Sequence, residues 1–257
     1  MHTTIAFPRP VIRNKRIVRA RGATVPYSYM PIDWDRAAAS LTERGFAELP
    51  SVLTDEQCRG LIELYPRHDL FRSRIDMTQY RFGKGEYQYF RYPLPPMVEV
   101  LRRNLYPRLA AVANHWATLM GSGDRFPDTL ETLLEQCHNQ GQTRPTPLLL
   151  RYGAGDYNCL HQDIYGPVAF PFQVVFFLSQ PDHDYSGGEF LLVENPPRAQ
   201  AMGRALRPNR GDAVVITTRH RPATGKRGVY RVAVRHGVSP VTEGHRWTLG
   251  IIFHDAL

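Results

Sequence analysis

The spacing of apolar and polar positions changes character near residue 147. Before it, the repeat is helical. Met97, Val100, Leu101, Leu105, Leu109, Val112 and Trp116 recur at three- and four-residue steps, which predicts a helix over 96–120. The stretch "DWDRAAASLTERG" (33–45) predicts another, with Asp near its start and Gly45 as its stop. Thr54 and Gln57 form a capping-box pattern that opens a helix through about Tyr65. A fourth helix is expected over about 128–138. "FAELP" predicts a short strand, and "YRFGKGEYQYFRY" (80–92) a hairpin turning at Gly83-Lys84-Gly85. From 147 onward short apolar runs follow one another: "PLLLRY", "NCLHQD", "FQVVFFLS", "EFLLVE", "DAVVITT", "YRVAVRHGV" and "WTLGIIF". Gly and Pro punctuate them. Short strands at this density, with no helices between them, predict a β-sandwich or jelly roll. The expected class is α+β. A basic arm over 1–32 precedes one domain over 33–257, in which helices of 33–146 buttress a β-core of 147–257.

Composition changes this picture little. The 257 residues, 42% apolar, suffice for one sizeable core. No run of about 18 apolar residues exists, so no membrane-spanning helix is expected. Three cysteines (Cys58, Cys137, Cys159) with no C-x-x-C are no disulfide framework, which points to a reducing compartment, the cytoplasm. The net charge of +8 is concentrated in one place. Arg9, Arg13, Lys15, Arg16, Arg19 and Arg21 crowd an acid-free start, and the rest of the chain is nearly balanced. Such a tail can hold a polyanion, or be a solvated arm. Its Arg-rich start is also transit-peptide-like, and it lacks the apolar region of a secretory signal.

The candidate chemistry lies in "LLLRYGAGDYNCLHQDIYG" (148–166). His161 and Asp163 stand two apart on an expected strand, so both side chains face one side. An imidazole and a carboxylate on one face are two of the three ligands of a 2-His-1-carboxylate iron site. A second His must come from elsewhere, and His220, His236 and His245 are the candidates. His220 lies in the basic run "TTRHRP", where a solvated side chain is expected. His245 should point away along its strand. Cys159 shares the alternation of His161 and is expected to be buried or to face the cavity.

Several motifs then occur in order: Tyr152-x-x-Gly155, His161-x-Asp163, "GGEFL" at 187–191, Gly211-Asp212-Ala213, His236-x-Val238 and Gly244-x-Arg246. Together they resemble the double-stranded β-helix of the 2-oxoglutarate/Fe(II)-dependent oxygenases, in their prolyl-hydroxylase-like branch. The opening "GFAELPSVLTDEQC" is similar as well. The resemblance implies that His161, Asp163 and His236 bind Fe(II), and that Arg246 takes the distal carboxylate of 2-oxoglutarate. A planar guanidinium suits that carboxylate because it offers two parallel donors. Tyr152 and Thr248 are candidate contacts to the same co-substrate. The implied reaction consumes O2 and 2-oxoglutarate, hydroxylates a C–H bond, and releases succinate and CO2.

"QTRPTPLLLRYGAGDYNCLHQDIYGP" and "PFQVVFFLSQPDHDYSGGEF" further resemble a bacterial oxygenase group named for a proposed part in oxidative repair of damaged DNA. Three basic segments could meet nucleic acid: the tail (9–21), the stretch 81–91 with Arg81, Lys84 and Arg91 among aromatics, and the run 219–231 with Arg219, Arg221, Lys226, Arg227 and Arg231. Alkylated nucleic acid is the leading substrate expectation. A protein (prolyl-type) hydroxylase and a small-molecule hydroxylase are the alternatives, with a metal-free binding module as the non-enzymatic one.

Overall fold

The computed structural model describes residues 29–257 apart from position 227. The basic tail at 9–21 and Arg227 therefore lie outside the described residues. Residues 29–32, expected to belong to the arm, are docked: Tyr29 and Ile32 pack on the core, and the Met30 N–H donates to the Val52 carbonyl at 2.9 Å.

Local signals set most element boundaries. Helix α1 (Trp34–Arg44) begins where Asp33 accepts from the Arg36 N–H and ends at Gly45 in the left-handed region (φ 78°). Strand β1 (Phe46–Leu49) follows. Helix α2 (Asp55–Ile62) opens on the reciprocal Thr54–Gln57 capping box but stops three residues short of the expected Tyr65. Strands β2 (Phe71–Asp76), β3 (Gly83–Lys84) and β4 (Glu86–Phe90) come next. Helix α3 (Pro96–Met120) has the bounds its periodicity predicts, and α4 (Leu130–Asn139) is capped by Thr129. The C-terminal half is β5 (Leu148–Tyr152), β6 (Tyr157–His161), β7 (Phe172–Phe177), β8 (Tyr185–Gly187), β9 (Phe190–Asn195), β10 (Met202–Leu206), β11 (Ala213–Thr217), β12 (His220–Gly225), β13 (Gly228–Val238), β14 (Val241–Gly244) and β15 (Arg246–Ile252).

The strands form two facing antiparallel sheets. One has the order β1-β11-β7-β15-β5-β4-β2, the other β10-β9-β13-β6-β3 with β12 on β13, and β14 pairs with β8 apart. This is a jelly roll with helices on one side, as the α+β expectation requires. Alternation sorts the side chains. On β7 and β15, Val174, Phe176, Leu249 and Ile251 face outward into a core shared with Leu101, Leu105 and Leu109 of α3. Val175 and Phe177 face inward against Phe190 and Leu192 of the opposite sheet. Each such buried side chain contributes roughly 1.5–3 kcal/mol of apolar transfer.

Five expectations need correction. The segment 80–92 is not a hairpin: β3 pairs with β6 in one sheet and β4 with β2 and β5 in the other, so the chain crosses between sheets. Gly83 permits this with φ 138°, where a Cβ would collide with the Tyr157 carbonyl oxygen. The N-terminal half is therefore not only a helical buttress; it supplies strands to both sheets. The basic run at His220, expected to be solvated, starts β12, where His220 is half-buried. Strand β6 ends at His161, which leaves Asp163 beyond it, and Cys159 on that strand is exposed.

A buried polar node fixes α3 to the C-terminal end of β15. Arg102 Nε donates to the Ile252 carbonyl (3.0 Å), and Nη2 donates to the Phe253 carbonyl (2.9 Å) and to Asp255 (2.8 Å). Its Nη1 donates to the Tyr92 hydroxyl (2.8 Å), which in turn donates to Asp255 (2.9 Å). His138 reaches the same carboxylate at 3.0 Å.

Candidate metal and co-substrate site

Antiparallel register places His161 of β6 directly opposite His236 of β13. Their ring centres are 4.2 Å apart. Past the end of β6 the chain brings Asp163 back to the pair. One carboxylate oxygen lies 3.2 Å from His236 Nε2 and the other 3.6 Å from His161 Nε2. The three side chains offer ligand atoms that all lie within 4.8 Å of one another. The cluster thus forms by strand pairing plus the irregular segment after β6, rather than by the two-residue alternation first expected.

Hydrogen bonds preset this group. His161 Nδ1 donates to the Cys159 carbonyl at 2.8 Å, which leaves Nε2 facing the cluster. Burial, and then the neighbouring His236, hold the His161 imidazole below its usual range, so it is a neutral donor of electrons. For Asp163 burial opposes ionisation, but hydrogen bonding and charge from His236, with help from His161 and Tyr165, prevail. Its carboxyl sits far below the usual carboxylate range. The Tyr165 hydroxyl donates to Asp163 at 2.7 Å and accepts from Tyr89 at 3.1 Å. Burial and the Asp163 charge push the Tyr165 phenol well up, so it remains a donor. The Gln173 amide nitrogen lies 3.1 Å from His236 Nε2, and its oxygen is buried without a partner.

The same cavity, about 300 Å³, contains Arg246, Tyr152 and Thr248. Arg246 begins β15, faces Tyr152 across the ladder, and is 1% exposed. Its guanidinium lies 5.3 Å from the Phe177 ring centre and 5.5 Å from that of Tyr152. Arg246 Nε and Nη2 are buried with no hydrogen-bond partner. An unpaired buried cation is costly, so this geometry fits an anionic ligand. Tyr152 accepts from Asn158 at 3.3 Å, and burial pushes its phenol up to about 12 despite Arg246. Leu150, Val175 and Val238 line apolar wall, and exposed Phe82 and Ile164 stand at the mouth.

Every residue assigned to the metal or co-substrate from sequence thus lies in one cavity. His220 and His245 do not, and neither does Cys159. Sequence reasoning missed Tyr165, Asn158 and Gln173. Gln173 had a readable signal, since it alternates with Val175 and Phe177 in an otherwise apolar strand; Tyr165 had none. The basic segments fare unevenly. Tyr87 and Tyr89 of the 81–91 stretch line the cavity, Phe90 is in the core, and Lys84 pairs with Asp156 at 3.7 Å. Arg221 is committed to a two-pronged, largely buried pair with Glu194 (3.0 and 2.8 Å).

A family model described as "Oxygenase, catalysing oxidative methylation of damaged DNA" matches residues 85–256. Two uncharacterized proteins of Mycobacterium tuberculosis, from strains CDC 1551 / Oshkosh and H37Rv, are 48% identical over 167 residues, 65% of this chain and 72% of theirs. A Pseudomonas putida prolyl-4-hydroxylase superposes with a TM-score of 0.51 at 14% identity, covering 86% of this chain and 98% of its own. SnoN, a non-heme alpha ketoglutarate dependent epimerase from nogalamycin biosynthesis, also gives 0.51 at 14% identity, over 84% and 80%. The fold is thus one shared with a prolyl-4-hydroxylase and an alpha ketoglutarate dependent epimerase, and the family match defines an oxygenase. The chain belongs to the oxygenase family whose model it matches. Among the described residues no helix is long and apolar enough to cross a membrane.

Proposed function

We propose that His161, Asp163 and His236 hold Fe(II), that Arg246 receives the distal carboxylate of 2-oxoglutarate, and that the enzyme oxidises alkylated nucleic acid. One observation carries this reading: a buried guanidinium with two unpartnered nitrogens shares a cavity with a His-Asp-His donor set. The donor set fits the metal, because two imidazoles and one carboxylate on one side leave other positions open. The size and charge of the cavity fit a small dicarboxylate. When bound, the iron with 2-oxoglutarate and O2 supplies the oxidant that hydroxylates a C–H bond, releasing succinate and CO2.

The chain's own residues then bind, orient and exclude. Arg246 anchors the carboxylate end, with Tyr152 and Thr248 beside it. Tyr165 and the Cys159 carbonyl fix Asp163 and His161 in their ligating orientations. Leu150, Val175 and Val238 keep water away from the reacting atoms. No side chain has to remove a proton, so none is assigned as a base.

Support for the substrate is the family description, together with the exposed Arg219 and Arg231. Hydroxylation of an N-methyl group gives a hemiaminal that releases formaldehyde, so oxidation would remove a base lesion. The test is a turnover panel with Fe(II), 2-oxoglutarate and O2. Succinate and formaldehyde should form in equal amounts with methylated single-stranded DNA. Succinate stimulated by peptides or metabolites and not by nucleic acid refutes the substrate. No succinate with any substrate class, together with unchanged metal affinity in His161→Ala, refutes the site.

A further inference from the structure

A second cavity of about 370 Å³ adjoins the first, and no step above uses it. It lies between the C-terminal end of α3, the segment after Asp163 and the β12–β13 ribbon. Ile164 lines both cavities. The connection is closer still at Gln162, between the two expected ligands. Its amide donates to the carbonyls of Arg219 (3.0 Å) and Val234 (2.8 Å). The segment joining the two expected ligands is thereby pinned to the rim that contains Arg219.

Charge at this second cavity is uncompensated. Arg125, Arg219 and Arg231 line it, against one carboxylate, Asp124. No carboxylate among the described residues forms an ion pair with any of the three. Register explains why. His220 pairs with Ala233 and Pro222 with Arg231, so His220 and Arg231 share one face of the ribbon, while Arg221 lies on the other with Glu194. One basic run is thus sorted into a neutralised pair and a free cationic face. Burial, and then the charges of Arg219 and Arg231, hold the His220 imidazole below its usual range, as a positive field requires. Arg231 spends one N–H on the Met120 carbonyl at 3.3 Å and keeps the others. Trp116, fully buried, also lines the cavity, and its indole N–H has no acceptor.

Guanidiniums and a spare N–H, nearly without acceptors, match an oxyanion with several acceptor atoms. We infer that this cavity is a phosphate subsite, in which Arg219, Arg231 and Arg125 take the phosphodiester beside the nucleotide being oxidised. The phosphodiester rests on the nucleic-acid reading above; the phosphate chemistry does not.

The experiment compares wild type, the R219Q/R231Q double variant and K226Q, an exposed cation on the same ribbon outside the cavity. Substrates are a methylated single-stranded pentanucleotide and the corresponding methylated nucleoside, which has no phosphate. In the double variant KM for the pentanucleotide should rise roughly tenfold, with kcat little changed, and the slope of log KM against log salt should fall by about one. K226Q should do neither, and KM for the nucleoside should not respond. An unchanged pentanucleotide KM and salt slope in the double variant, or an equal effect of K226Q, overturns the subsite and leaves the substrate reading standing. If wild type oxidises no nucleic acid, calorimetry with inorganic pyrophosphate decides separately. Binding that the double variant loses upholds the subsite, and no binding by wild type overturns it.

Discussion

Arg246 begins β15, and Arg102, reaching over from α3, grips its far end. Both are essentially inaccessible to solvent. Arg102 spends Nε, Nη1 and Nη2 on two carbonyls, a hydroxyl and the Asp255 carboxylate. Arg246 leaves Nε and Nη2 without partners among aromatic rings. Equal burial with opposite satisfaction separates two roles. A buried cation whose donors are all used holds the chain together. One that keeps two donors idle has them ready for something that arrives later.

The contrast can be broken most forcefully at Arg102. Arg102→Met strips the buried Asp255 carboxylate of its guanidinium and frees two carbonyls, leaving Asp255 only Tyr92 and His138, and should cost about 3–5 kcal/mol in urea unfolding. Arg246→Met should leave the unfolding midpoint unchanged or raise it, because no paired charge is stranded. An equal stability loss in both variants would erase the distinction.

The next effect is pH-dependent and belongs to the Arg102 end. Burial, and then the charge of Arg102, hold His254 at about 4. The unfolded chain takes up that proton near the ordinary imidazole value, and the folded chain refuses it until lower pH. Stability is therefore complete above about pH 6.5, falls as pH drops toward 4, and levels below, by about 3 kcal/mol in all. His254→Asn, which can still accept from the Phe170 N–H, should flatten this slope in unfolding curves between pH 6.5 and 4.5.

At the other end, Arg246→Met should weaken 2-oxoglutarate binding to the Mn(II)-loaded protein by about 100-fold, read by calorimetry. Smallest is Tyr165→Phe. It removes the hydroxyl that orients Asp163 and should lower Mn(II) affinity about tenfold, with the fold intact. If Tyr165→Phe leaves affinity unchanged, the hydroxyl does not set the ligand orientation.

Legibility differed between the two ends. Arg246 was a candidate only through the resemblance of the motifs from Tyr152-x-x-Gly155 to Gly244-x-Arg246 to a known oxygenase family, and the alternation of β15 then placed Thr248 beside it. Arg102 could not. In α3 it resembles one more polar position on an amphipathic helix, and its partner Asp255 is 153 residues away. The strand core was legible because its apolar runs are bounded by Gly and Pro. The crossing at 83–85 was not, since a Gly-Lys-Gly between aromatic runs carries the same signal whether the flanking strands pair with each other or with different sheets. Asp163 meets the two imidazoles by a route the alternation did not foresee. Alternation predicted a shared strand face, whereas the strand ends at His161 and the irregular segment beyond it brings Asp163 back.

That crossing has a mechanical meaning. Strand β3 is laced to β6, which ends in His161, and β4 is laced to β5, which ends in Tyr152. Gly85 alone separates the two laced strands. The wall bearing His161 and the wall bearing Tyr152 are thus joined by a tie-bar of ordinary covalent bonds at the mouth. Loosening of side-chain packing can soften the interior, but it cannot let that edge gape. The opening there is set in tension by the length of the backbone.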